Sequence, residues 1–477
     1  MPPRDCRRCL GASADLRNGT AITPTASGGA NESRLAPLTF YLRLPTSMPA
    51  PIHFLLVALG SAGDVHPFIG IGRALRRRGH HVTLITNPHF QSAVTAAELE
   101  FAPIATEEQL LAGMRDPDLW HPVKGFALVA RQLMVPYIRE LYRLLDERIG
   151  GGPTVIAAPG AALGARVLNE KRGVPLSTIY LQPVLIRSLI EPPRFPMTLM
   201  GRGVPHWLKR LQFWVADNLF IDRLLCPELN AFRRELGLPP VRGIMRQWWN
   251  SPQGMIGLFP DWFAPPQTDW PRNLRLTGFP LWDECEVSIP PPGLEDFLAA
   301  GSPPIVFTPG SAMMHGHSFF AAAVEACRIL GRRGILLTKY TEQLPARLPE
   351  NIAHFSFVPF SFVFPRTAAV VHHGGVGTCG QGLAAGVPQL VMAMSHDQPD
   401  NAARLERLGV GRAIKPKHFR GPEVAKQLRR LIDRPETALR CKALATRIDA
   451  KVALEATCDK LESLAVVPNG RLKAQAA

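Results

Sequence analysis

The chain has 477 residues, 46% of them hydrophobic, with 54 Lys and Arg against 39 Asp and Glu and a formal net charge of +15. That length can bury two cores, and no run of eighteen or more apolar residues offers a membrane-spanning helix. The positive balance suits an anionic ligand or an anionic membrane surface; the arginines are spread along helix-like segments such as Arg76-Arg77-Arg78 and Arg429-Arg430, without a zinc finger or an aromatic-basic RNA motif, so no nucleic acid is expected as partner.

Residues 1–47 are rich in Gly, Ala, Ser, Thr, Pro and Arg, carry no apolar period and are expected to be a disordered leader. They lack the apolar core of a secretory signal. Met48 stands just ahead of the first strand and reads as an alternative start, with the leader as an extension. Cys6-x-x-Cys9 is a single CxxC and weak evidence for zinc. The six other cysteines are scattered singly, which suits a reducing cytoplasm.

Ile52–Leu59 is predicted to be a buried strand, followed by a turn over Gly60–Pro67, a helix over Phe68–Arg78 and a second strand over His81–Thr86, the start of a doubly wound sheet. The turn lacks the G-x-G-x-x-G spacing of a dinucleotide fingerprint. Asp64 falls at the carboxyl end of the first strand, where it reads equally as a helix cap or as a general base at the mouth of an apolar cleft. Asp116-Pro117-Asp118 contains a D-x-D, but Pro between two acids is an ordinary turn, and no metal is expected there. Pro183–Trp214 interleaves Pro, Met, Leu, Phe and Trp with Arg. Its apolar side chains, Trp207 and Trp214 among them, suit either a greasy acceptor with Arg for its carboxylate, or plain helix packing.

A Pro-rich linker near Ser288–Gly293 leads to a second set of strands, beginning at Pro304–Thr308 and Gly334–Thr338. The strand Ala368–Val371 runs into His373-Gly374-Gly375-Val376-Gly377-Thr378 and a helix over Cys379–Ala385. Strand, glycine turn and helix together aim backbone N–H groups at a diphosphate. One strand later, His396-Asp397-Gln398 offers polar groups for sugar hydroxyls at a strand end.

In order, H-G-G-x-G-T, G-V-P and D-Q-x-x-N resemble the donor-site signature of family 1 inverting glycosyltransferases. The resemblance implies the α/β GT-B architecture, two facing doubly wound parallel-sheet (Rossmann-like) domains with an interdomain cleft. It implies an acceptor domain at 48–283, a linker at 284–300, a nucleotide-sugar domain at 301–460 and a helix end and tail at 461–477. It implies that His373, Gly375, Gly377, Thr378 and Ser311 meet the donor diphosphate, that Asp397 and Gln398 hold the sugar, and that Phe357 and Val358 meet the base. Phe360 stands where plant relatives place a ribose-binding Gln, which is compatible with a deoxyribose. G-S-x-G-D-V-x-P at Gly60–Pro67 resembles the opening motif of sterol and antibiotic glycosyltransferases. That implies Asp64 as base, His66 as second candidate or orienting partner, and Gly63 on the acceptor side. Ser61–Gly70 and Phe263–Pro271 are further similar to the rhamnosyltransferases of rhamnolipid synthesis. This implies transfer of L-rhamnose from a dTDP carrier to a hydroxyl of a 3-(3-hydroxyalkanoyloxy)alkanoate. The nucleotide-diphosphate sugar is then a co-substrate, with no metal and no other cofactor. Peripheral contact with the inner face of the membrane, or a partner subunit, would fit a lipid-like acceptor. The rival readings are a UDP-sugar enzyme acting on sterols or macrolides, a nucleotide-sugar epimerase of the same fold, and a non-catalytic sugar-nucleotide-binding subunit.

Overall fold

The computed structural model describes residues 50–195, 198–201 and 203–465; the leader, with Cys6, Cys9 and Met48, and the tail from 466 onward lie outside the described residues. The first half forms a seven-stranded parallel sheet from β1 (His53–Val57), β2 (His81–Thr86), β3 (Glu100–Pro103), β4 (Thr154–Pro159), β5 (Leu176–Tyr180), β6 (Met255–Gly257) and β7 (Leu274–Leu276), in the order β3-β2-β1-β4-β5-β6-β7. The second half forms a six-stranded parallel sheet from β8 (Ile305–Thr308), β9 (Gly334–Leu337), β10 (Ile352–Phe355), β11 (Ala369–His372), β12 (Gln389–Met392) and β13 (Gly411–Ile414), in the order β10-β9-β8-β11-β12-β13. The central strands are near-continuous apolar runs because helices cover both faces of a parallel sheet. Phe54, Leu56 and Val57 in β1, and Val370 and Val371 in β11, are fully buried. Strand order reverses between β1 and β4 in one sheet and between β8 and β11 in the other. Ligands in such sheets sit outside the carboxyl ends of the strands at these reversals.

The structure differs from the sequence reading at two elements. The first helix, α1 (Ala62–Arg77), begins six residues earlier than the pattern suggested and carries Pro67 inside it. Proline reads as a breaker, yet the start at Ser61 and Asp64 sets the helix first. The predicted linker contains a helix, Leu294–Ala299, whose Leu294 and Leu298 pack into the second core with Val306 and Ile335. The last helix, Ala450–Ala465, crosses back: Cys458, Leu461 and Leu464 are buried with Phe68, Ile69 and Leu75 of the first half.

Candidate active site

Asp64 is the third residue of α1, and its carboxylate folds back on the helix start. Its Oδ2 accepts from the Ser61 amide (2.8 Å) and the Ser61 hydroxyl (3.1 Å). The turn requires Gly60: its φ is +128°, and a Cβ there would lie 2.3 Å from Asp64 Oδ2. The carboxylate thus closes the helix start, as the cap reading expects, and the same residue lines the cleft. Burial raises its pKa to about 6; the Ser61 hydrogen bonds oppose the rise, Asp397 adds to it and His396 lessens it.

The facing wall is built at the reversal of the second sheet. The helix after β11, here α2 (Val376–Ala384, numbering only the helices used below), starts three residues earlier than expected, so Gly377 and Thr378 lie in its first turn. Gly374 has φ +97° and packs against Val391 and Gln398, where a side chain would collide. A Cβ on Gly377 would meet nothing within 4 Å, so the start of α2 opens on free space. His373 lies between Gly310 and Gly375; a Cβ on either would come within 2.7 Å of its ring. Burial depresses the His373 pKa to about 4, and its Nδ1 is buried without a hydrogen-bond partner among the described residues. A neutral ring can still donate one N–H to a phosphate oxygen.

Asp397 accepts from Asn401 Nδ2 (2.7 Å) and from the Val376 amide (3.3 Å) at the start of α2. Burial raises its pKa to about 6 as well. The Gln398 carboxamide oxygen is taken up by the amides of Met394 (2.8 Å) and Ser395 (3.3 Å), so it shapes the turn that presents Asp397. His396 sits in the left-handed region, φ 55°, and its Nε2 lies 2.8 Å from the Leu119 carbonyl of the first half. Burial lowers its pKa.

Asp64, Gly63 and His66 from one half line a single cavity of about 610 Å³ together with Ser311, Phe357, Val358, His373, Gly375, Gly377, Thr378, Asp397 and Gln398 from the other. That volume is ordinary for a small-molecule site. Phe357 is half-buried and Val358 buried at the end of β10; Phe360 lines the cavity and stacks on Phe364 at 4.4 Å. His66 turns its Nε2 to Glu284 (3.0 Å) and its ring edge to Trp282, which ties α1 to the linker instead of serving Asp64.

Two sequence expectations are corrected. Trp207 and Trp214 do not line the cavity; they are 66% and 53% exposed on the outer side of their helix, because the residues at i+2 and i+6 from Trp207, Lys209 and Phe213, turn inward. The arginines near them do not enter the cleft either. Arg187 pairs with Asp217 and stacks over Phe213, and Lys339 is the one lysine or arginine among the described lining residues. The first half's wall of the cavity is formed instead by Leu110, Met114, Trp120, Phe126, Met134 and Trp249. Asp116 caps the turn by accepting from the Asp118 amide (2.9 Å), and Asp118 pairs with Lys124 (3.0 Å). The residues on either side of this turn contact the second half, where His315 and His396 hold the Arg115 and Leu119 carbonyls.

Sequence reasoning gave no separate role to His372 or Asn401. His372 accepts from the Gly374 amide (3.1 Å) and pairs with Gln389 Oε1 (3.0 Å), fixing the glycine turn from below. The paired histidines and the Asn of D-Q-x-x-N were the available signals. No group of three or more His, Cys, Asp or Glu side chains among the described residues is placed to hold a metal ion.

Residues 54–188 match the glycosyltransferase family 28 N-terminal domain, and residues 334–467 match the C-terminal domain of erythromycin biosynthesis protein CIII-like proteins. O-mycaminosyltylonolide 6-deoxyallosyltransferase of Streptomyces fradiae is 30% identical over 424 residues, covering 86% of this chain and 97% of that protein. A sterol 3-beta-glucosyltransferase of Pichia angusta is 26% identical over 86% of this chain and 33% of its own length. Among solved structures, the glycotransferase of kitacinnamycin superposes with a TM-score of 0.64 at 22% identity, over 87% of this chain and all of that one. The spinosyn rhamnosyltransferase complexed with thymidine diphosphate gives 0.59 at 19% identity, over 85% of this chain and all of its own. The chain belongs to the family 1 glycosyltransferases of GT-B fold and is a nucleotide-sugar glycosyltransferase.

Proposed function

We propose that the chain transfers L-rhamnose, with inversion, from a thymidine diphosphate carrier to a hydroxyl of a lipid-like acceptor of the hydroxyalkanoyloxyalkanoate type. The observation that carries the reading is the placement of Asp64 and the glycine cradle on opposite walls of one apolar cavity. Asp64 takes the proton of the acceptor hydroxyl; the oxygen lone pair attacks the anomeric carbon, and the bond from that carbon to the diphosphate oxygen breaks. The departing charge falls to the N–H groups at the start of α2, the His373 ring and the hydroxyls of Thr378 and Ser311. Asp397, held by Asn401, accepts from sugar hydroxyls in this reading. Support for a 6-deoxyhexose comes from the Streptomyces fradiae relative, a 6-deoxyallosyltransferase. Support for a thymidine carrier comes from Phe360 and from the spinosyn enzyme of this fold that holds thymidine diphosphate.

One observation favours a second reading: no arginine lies among the described lining residues, so an acceptor carboxylate would find no guanidinium partner inside the cavity. A neutral sterol- or macrolide-like alcohol satisfies the same walls. Both readings are tested by incubating thymidine- and uridine-linked sugars with a hydroxyalkanoyloxyalkanoate, a sterol and a macrolide aglycone, and reading products by mass and anomeric configuration by NMR. Rhamnosylated lipid supports the first reading, and a product from a neutral acceptor alone supports the second. Conversion of the donor to an epimer without any acceptor overturns both.

A further inference from the structure

The helix His206–Val215, which runs on through a π-helical stretch at Ala216–Ile221, leaves a row of large apolar side chains in solvent. Trp207, Leu211 and Trp214 stand at i, i+4 and i+7, one face of a helix, and are 66%, 47% and 53% exposed. Phe220, further along the same continuous helix and on a different side of it, is 62% exposed. Leu199, at 69%, is pinned beside the row: the Gln212 carboxamide accepts from the Leu199 amide (2.9 Å) and donates to its carbonyl (3.0 Å). Soluble surfaces seldom gather so many exposed large apolar groups on one face.

Along the helix carrying this row the exposed charges are of one sign until Glu228. From 198 to 223 the exposed ionisable groups among the described residues are His206, Arg210 and Arg223. The two acids of the stretch are buried and engaged: Asp217 pairs with Arg187, and Asp222 accepts from the amides of Gly243 (2.6 Å) and Ile244 (3.1 Å). Lys209 is buried too, its Nζ on the Leu189 carbonyl (2.9 Å). Indoles in an apolar row flanked only by cations are suited to the boundary between headgroups and acyl chains. The preceding segment also joins this face to the cleft, since Leu185 and Phe195 line the cavity and Leu199 belongs to the row. No helix among the described residues is long and apolar enough to cross a membrane, so the contact would be peripheral.

We propose that this face seats the enzyme on an anionic lipid bilayer, with Trp207, Leu211, Trp214 and Leu199 entering the interface and Arg210 and Arg223 meeting the phosphates. Its use rests on the lipid-like acceptor proposed above; its occurrence does not, because vesicle binding is read without donor or acceptor. The full chain is co-sedimented with phosphatidylcholine vesicles with and without phosphatidylglycerol. Binding to the anionic vesicles, weakened by salt, is expected. The double variant Trp207→Ser, Trp214→Ser should lose roughly tenfold or more in vesicle affinity. Arg210→Glu should lose affinity chiefly at low salt. Both variants should keep wild-type turnover on a detergent-dispersed acceptor and wild-type circular dichroism. Absence of binding by the wild type, or equal binding by the double variant, overturns the proposal. So does sedimentation velocity in which the wild type self-associates through this face and the variant does not, since the row would then be covered by a second copy.

Discussion

Asp64 is held where its ionised form is costly but reachable. Burial pushes its pKa to about 6, and the two Ser61 hydrogen bonds keep it from rising further. A base must be ionised to accept a proton, so kcat/KM should fall about tenfold per pH unit below that value. Because Asp397 is pushed to about 6 in the same cavity and acts on Asp64, the acidic limb belongs to the pair. Asp64→Asn should lower turnover by about 10²–10⁴ while thymidine diphosphate still binds by calorimetry; wild-type-like turnover would remove Asp64 from the role. The stability consequence has the opposite sign from that of an ion-paired carboxylate. The folded pKa lies above the ordinary 3.8, so the contribution is complete below 3.8 and is lost as pH rises through about 6. The thermal midpoint of Asp64→Asn should therefore vary less across that window than the wild type's. The sequence held Asp64 between cap and base because both need a short acid at a helix start. The geometry that puts the capping carboxylate in the cleft depends on Gly60, whose need for positive φ no residue spacing announces.

The strand, glycine turn and helix around β11 and α2 make one unit in which each glycine has a different reason. Gly377 opens on free space at the start of α2, so a larger side chain there would fill the cradle without displacing protein. Leucine also favours helix over glycine by roughly 1 kcal/mol. Gly377→Leu should keep or raise the thermal midpoint while thymidine diphosphate binding is lost; retained binding would place the diphosphate elsewhere. Gly310 is the contrary case. It has φ +98°, and a Cβ would meet His373 Cε1 at 2.7 Å and Nδ1 at 2.9 Å. Gly310→Ala should cost roughly 1–3 kcal/mol in strain and move the ring, weakening diphosphate binding as well as stability. The order of this unit was legible because buried parallel strands read as apolar runs and a phosphate cradle needs glycine at fixed places. The start of α2 was read too late, since Gly377 and Thr378 look like loop residues, yet the helix N-terminus needs them in its first turn. The sequence left Trp207 and Trp214 between a cleft and helix packing because an aromatic helix face has the same spacing whether it is covered or bare. Only the packing of Lys209 and Phe213 inward decides which side turns out.

The two halves are held together by contacts that a sequence cannot display, because their acceptors are often backbone carbonyls. His315 and His396 reach the Arg115 and Leu119 carbonyls, Arg404 and Arg407 both reach the Phe263 carbonyl, and Ser361 holds Asp283. The largest of these ties is the last helix, α3 (Ala450–Ala465), which follows the second sheet in sequence but packs on α1 and β4. Its Leu461 is fully buried, and Thr457 joins Thr277 hydroxyl to hydroxyl at 2.8 Å. Cutting Leu461 to Ala removes buried apolar surface and leaves a cavity, a change that costs roughly 2–5 kcal/mol. That cost should fall on the first half, far away in sequence. In Leu461→Ala, hydrogen exchange should therefore quicken at the amides of β1 and β4, while β8 and β11 keep their protection and thymidine diphosphate still binds the second half. Loss of protection in the second sheet with the first unchanged would show that the helix belongs to the half it follows. Turnover should fall more than donor binding, because the helix fixes the wall that carries Asp64 and not the one that carries the cradle.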